Sequence, residues 1–186
     1  MNELVKLFKH IARDVLIYLF SGLILIVNLS YLDNVFNYDS TNLHIIKTIP
    51  YWWVIMICVS YLLGQCSFAL MYLCVEKSGL EKKIKQKLHG DFEIDYKNEI
   101  KVFKTNLQLH EQFIERHTQL YLMRWNFSAT LLLCAIINII FLSTQYCDSK
   151  VIIVSVIEVV LSIAFYILSL KTEKDCADRL VEISKS

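Results

Sequence analysis

The chain has 186 residues, of which 55% are hydrophobic and only 20% charged, with one proline and four glycines. That balance excludes an ordinary soluble globular domain, and so few turn residues exclude a β-sandwich or a string of flexible linkers. The formal charge of +1 gives no bulk electrostatic case for nucleic acid, but it averages over segments whose charges are segregated.

The N-terminal segment carries Lys6, Lys9 and Arg13 and runs into the first apolar stretch, Val15 to Leu32. A cleaved signal peptide would show a small-residue cleavage site after such a stretch. Ser30, Tyr31 and Leu32 do not form one, so a retained span is expected. The second stretch runs from Tyr51 to Val75, the third from Trp125 to Leu142 and the fourth from Val151 to Leu170. Each is long enough to cross about 30 Å of hydrocarbon at about 1.5 Å per residue. The expected fold class is an all-α membrane protein, a bundle of four transmembrane helices with a helical cytoplasmic extension between spans two and three. The corresponding segments are 1–75, 76–124, 125–170 and 171–186.

Lysine and arginine counts set the orientation. Three precede Val15, one lies in Asp33–Pro50, ten lie between Lys77 and Arg124, one lies in Ser143–Lys150, and four follow from Lys171. The positive-inside rule places both termini and the long insert in the cytoplasm, and the parity of four spans agrees. Tyr31, Tyr51, Trp52, Trp53 and Tyr146 then mark the outer border, and Tyr18, Tyr72, Tyr121 and Trp125 the inner one, as interfacial aromatics do.

Span two carries Ser60 and Gly64, a small-xxx-small pair that permits close helix approach. Cys58, Cys66 and Cys74 recur every eight residues and read as a soft packing face. After the breaker Ser78-Gly79, LEKKIKQKLHG reads as a short helix ended by Gly90. Its Lys82, Lys83, Lys85 and Lys87 form a basic patch, either held against the inner leaflet or simply solvated. DFEIDY alternates as a minimal strand does, but an extended connector is the better reading.

From about Asn98 the period becomes helical, and no glycine or proline intervenes before Leu142. One helix of roughly forty residues is expected, with an apolar stripe of Ile100, Phe103, Leu107, Ile114 and Tyr121. Either the short basic helix or a neighbouring subunit must cover that stripe. His110 and His117 share a face, but their spacing and lack of a third ligand do not suit a metal. Arg124 is expected to snorkel towards headgroups.

Within the spans, Ser155, Glu158, Ser162 and Ser169 trace one stripe on span four. Glu158 is the one carboxylate in an otherwise apolar run, and such groups face a bundle interior, a partner or a hydrated path. Depth places Asn28 of span one and Asn138 of span three beside it, with Gln65 bonded elsewhere. A structural or interface role competes with a hydrated gate, which a ring of carboxylates in an oligomer would create. The cysteines supply no extracellular intrachain pair, since only Cys147 reaches the outer loop. Gly-rich phosphate loops, nucleophile elbows and CxxC motifs do not occur, so no enzymatic activity and no cofactor or metal is expected.

In size, four-span layout, charged insert after span two and the tail KTEKDCADRLVEISKS, the chain resembles the small membrane component of the two-protein Kiwa anti-phage defence system of bacteria. The resemblance covers the whole chain and rests on layout rather than a motif, so no site residue is carried over. It implies an inner-membrane homo-oligomer, with a tetramer among the candidate assemblies. Such a protein senses envelope perturbation and signals to a cytoplasmic DNA-binding effector. The expected partners are the lipid bilayer, further copies of the chain and that effector, without direct nucleic acid binding by this chain. The competing reading is a small ion channel or transporter with Glu158 in a hydrated pathway.

Overall fold

The computed structural model describes residues 2–36, 50–89, 96–107, 110–144 and 148–185, and among these there is no strand. Helix α1 spans Asn2–Phe36 and α2 spans Trp52–Met71, which a π-helical turn, Tyr72–Glu76, prolongs. The insert holds α3, Leu80–His89, and α4, Tyr96–Thr105. A second π turn, His110–Ile114, leads into α5, Glu115–Thr144, and α6 runs over Ser149–Lys185. Gly90 as a helix terminator, the alternating residues 91–95, Tyr146, Cys147 and most of the Asp33–Pro50 loop lie outside the described residues.

Among the described residues four helices are long and apolar enough to cross a membrane, with candidate spans Val15–Phe36, Trp52–Val75, Glu115–Ser143 and Ser149–Ile183. Only 22–44% of each span's most apolar window is buried within the chain, so hydrocarbon or another protein must cover the remainder. The fold is therefore an all-α bundle with a helical insert between the second and third such helices.

The chain divides into two compact units, one of residues 1–70 and 126–162, the other of 71–125 and 163–186. In the first, α1 and α2 are antiparallel and touch backbone to backbone. A methyl group on Gly22 would stand 1.6 Å from the Ser60 carbonyl oxygen, and one on Gly64 1.9 Å from that of Tyr18. Four residues along one helix match four back along the other, so two glycines fix a single register. Tyr18 meets Tyr61 and Phe68 edge to face at 5.8 and 5.9 Å.

The packing face of α2 is Ser60, Gly64, Ser67 and Met71, all buried. Cys58, Cys66 and Cys74 are exposed, so the soft packing face expected of them is not covered by the described residues of this chain. Cys58 lies two residues from Ser60, a turn of about 200° around the helix, so it points away from the seam.

The second unit has its own core, in which Val102, Ile114, Cys176 and Leu180 are buried together with Phe113 and Ile183 packed against them. Arg179 lies over the Phe113 ring at 5.2 Å from its centre. The uninterrupted helix expected from Asn98 to Leu142 does not form. Glu99 and His110 are 11 residues apart, which would separate their backbones by about 16 Å in a straight helix, yet their side chains meet at 3.3 Å. Phe103 meets the His110 ring edge-on at 5.1 Å. Val102 and Ile114 both reach the same pair of α6 residues. Asn106 is the one non-helical residue among those described in this stretch, and helical spacing persists around it, Asn106 N–H donating to the Val102 carbonyl at 2.8 Å and His110 N–H to the Asn106 carbonyl at 3.1 Å.

The breaker before α3 behaves as its sequence dictates. Gly79 has φ +73°, a region that favours glycine, and the Ser78 hydroxyl donates to the Cys74 carbonyl at 2.6 Å.

Candidate functional site

Three helices of the first unit meet at one amide. Asn138 of α5 accepts a hydrogen bond from Asn28 of α1, Nδ2 to Oδ1, at 3.0 Å. It donates in turn from its own Nδ2 to Glu158 Oε2 of α6 at 2.8 Å. All three side chains are buried, Asn138 completely. Asn28 Nδ2 also lies 3.5 Å from the Cys134 carbonyl. Every donor in this relay points towards the carboxylate, which is the acceptor at its end. Chemically, the arrangement solvates a carboxylate with amide N–H groups where water is scarce.

The structure thus brings together Asn28, Asn138 and Glu158, and leaves Gln65 apart, hydrogen-bonded to the Tyr61 hydroxyl at 2.8 Å. Ser155, Glu158, Ser162 and Ser169 are all buried. Their hydroxyls nevertheless differ in use. Ser155 donates to the Val151 carbonyl of its own helix at 2.7 Å and does not join the relay. Ser162 crosses to α5, donating to the Ser128 carbonyl at 2.8 Å and lying 3.2 Å from its hydroxyl.

The sequence reading missed Gly22, whose position opposite Ser60 is signalled by the Ser21-Gly22 pair in the middle of span one. It also missed a file along α5. Asn126, Thr130, Cys134 and Asn138 recur every fourth residue and are each fully buried. Both amide atoms of Asn126 and the hydroxyl of Thr130 lack a hydrogen-bond partner among the described residues.

A second cluster belongs to the other unit. Lys85 Nζ lies 2.7 Å from both Glu81 and Glu173, and the Tyr121 hydroxyl reaches Glu81 at 3.5 Å. Burial pulls the Lys85 ammonium down, but the hydrogen bonds and charges of Glu173 and Glu81 outweigh it, so its pKa lies above the usual 10.5. Lys85 is thus a half-buried, paired cation, whereas Lys82, Lys83 and Lys87 of the basic patch are exposed.

One nitrogen of the Arg124 guanidinium donates to the Thr172 hydroxyl and, at 3.3 Å, to the Leu168 carbonyl. Trp125 is 2% exposed and belongs to a core rather than to an interfacial belt. Tyr51, Trp52 and Trp53 are exposed.

Of the apolar stripe on the insert, Ile114 is buried and Tyr121 half-buried, while Ile100, Phe103 and Leu107 are exposed. His117 Nδ1 lies 2.9 Å from the Phe113 carbonyl. No group of His, Cys, Asp and Glu among the described residues could hold a metal ion. Compared with protein-family models, curated proteins and solved structures, the chain matches none of them.

Proposed function

We infer that the chain is a non-enzymatic sensor or scaffold of a bacterial inner membrane, with both termini and the insert on the cytoplasmic side. One observation carries the reading: Asn138 commits both halves of its amide to Asn28 and Glu158, which ties three helices at one buried point. A small relative shift of any of them leaves a buried polar group unsatisfied, so the relay has a made and a broken state. Perturbation of the surrounding bilayer is a force of the right kind to drive that change. In keeping with the Kiwa resemblance, the protein works as a homo-oligomer, a tetramer among the candidates, and passes the signal to a cytoplasmic effector in anti-phage defence.

Purification in a gentle detergent followed by native mass determination tests this reading. It predicts a multiple of the 21.8 kDa chain with a stoichiometric second protein. A lone monomer contradicts it.

A second reading, a small channel or transporter, is favoured by the unpartnered amide of Asn126 and hydroxyl of Thr130 in one file with Asn138. Buried groups of that kind attract water. Reconstituted vesicles separate the two readings: conduction requires ion flux in the parent that Glu158→Gln alters. No flux in the parent removes this alternative.

A further inference from the structure

Helix α2 has two faces, and α1 covers one of them. Ser60, Gly64 and Ser67 are buried, and at Gly64 the two backbones touch. Ser60 and Ser67 turn their hydroxyls back onto their own helix, to the Met56 and Leu63 carbonyls at 2.7 and 3.0 Å. On the side turned away from α1 lie Ile55, Cys58, Leu62, Gln65 and Ala69, all exposed. They follow at steps of three, four, three and four residues. A mean step of about 3.5 is the period of a helix seam that packs along a partner helix. Leu62, in the middle of the row, is 58% exposed.

Gln65 is the residue that a helix facing lipid alone would not carry. It belongs to the candidate span Trp52–Val75 and lies about 15 Å along the axis from the end at Val75. That is deeper than its side chain can snorkel. One amide hydrogen goes to the Tyr61 hydroxyl of the same helix at 2.8 Å. Its other N–H and its carbonyl oxygen have no partner among the described residues, and hydrocarbon offers none. In a bilayer such an amide is satisfied by a hydrogen bond to another helix.

The occupant that fits this face is a second copy of the chain. Copies inserted in one orientation carry Gln65 at one depth, and a carboxamide, both donor and acceptor, is its own complement. A two-fold axis along the membrane normal sets each residue of the row against itself, so the spacing is matched without a second sequence. A different protein would need both the same period and an amide equivalent at that depth. One polar residue in an apolar seam also fixes its register, because axial slip leaves both amides unpaired.

We propose that two copies pair through a parallel α2–α2 seam of Ile55, Cys58, Leu62, Gln65 and Ala69, with the Gln65 amides hydrogen-bonded across the axis. The seam rests on the homo-oligomer of the proposed reading and names the contact that builds it.

Native cysteines supply the test. Cys58 belongs to the row, whereas Cys66, also exposed, lies about 100° around the helix from Gln65. Oxidation of isolated membranes with copper phenanthroline is expected to join Cys58 to Cys58 of a second copy and to leave Cys66 unjoined to itself, as mapped by mass spectrometry of the dimer band. Gln65→Leu is expected to weaken association about tenfold, read by energy transfer between fluorophore-labelled full chains in vesicles, with helix content unchanged. Leucine gains nothing there over an acyl chain. An oligomer by native mass that lacks the Cys58 link overturns the seam and leaves the homo-oligomer standing, whereas a lone monomer removes both. Equal association of Gln65→Leu and the parent overturns the seam. A Cys58 link to a different protein also overturns it and assigns the face to that protein.

Discussion

Asn138 is the residue on which the intramembrane relay turns, because it is donor and acceptor at once. Asn138→Leu leaves the Asn28 amide and the Glu158 carboxyl without each other's mediation, and the expected loss of stability is about 1–3 kcal/mol. Glu158→Gln keeps an acceptor oxygen and is expected to cost less, within about 1 kcal/mol, as intramembrane hydrogen bonds usually do. Thermal unfolding in detergent checks both. A double-mutant cycle between positions 28 and 138 should show non-additivity, because one hydrogen bond joins them at 3.0 Å.

Lys85 offers a prediction with a pH dependence. Its folded pKa lies above its ordinary 10.5, so its stabilising contribution is complete at neutral pH and is lost only as the pH rises through the folded value. The stability difference between the parent and Lys85→Met should therefore be flat from about pH 7 to 9 and shrink above about pH 10.5. Lys82→Met, at an exposed site, should be near neutral throughout.

At the scale of elements, the α1–α2 seam is the most demanding contact. Gly22→Ala or Gly64→Ala would push a methyl group into a backbone carbonyl, which cannot swing aside as a side chain end can. Each is expected to destabilise by about 1–3 kcal/mol, as overpacking does. Gly79→Ala has open space around it and would act only through its positive φ, costing about 1 kcal/mol. Comparing the three by thermal melts separates steric contact from backbone strain.

Elements with strong periodicity were legible in the sequence. The apolar runs, the Ser78-Gly79 break and the inward stripe of span four follow from length, composition and a period near 3.6 residues. The companionship of Asn28, Asn138 and Glu158 was legible too, because antiparallel topology and a fixed rise give each residue a depth. The meeting of Glu99 with His110 was not legible. No glycine or proline interrupts the sequence there, and the residues that Val102 and Ile114 pack against lie far along the chain at Cys176 and Leu180. Lys85 was hidden for the same reason, since its partner Glu173 is 88 residues away. The repeat of eight placed Cys58, Cys66 and Cys74 on one helix face without saying which way that face turns.

For the whole molecule, the account depends on lipid covering what the chain leaves uncovered. Ile153, Val156, Ile157, Val160 and Ile163 of α6 are each more than half exposed, next to the buried Glu158 on the same helix. Water could not tolerate such a surface on four helices at once. The proposed orientation, which follows the positive-inside rule, has the lysines of the insert on the cytoplasmic side. The most direct measurement is therefore amine labelling of Lys82, Lys83 and Lys87 by a membrane-impermeant reagent, in intact cells and again after permeabilisation. The account predicts that the protein sediments with membranes and that these lysines label only after permeabilisation. Recovery in the soluble fraction, or labelling from outside intact cells, would contradict it.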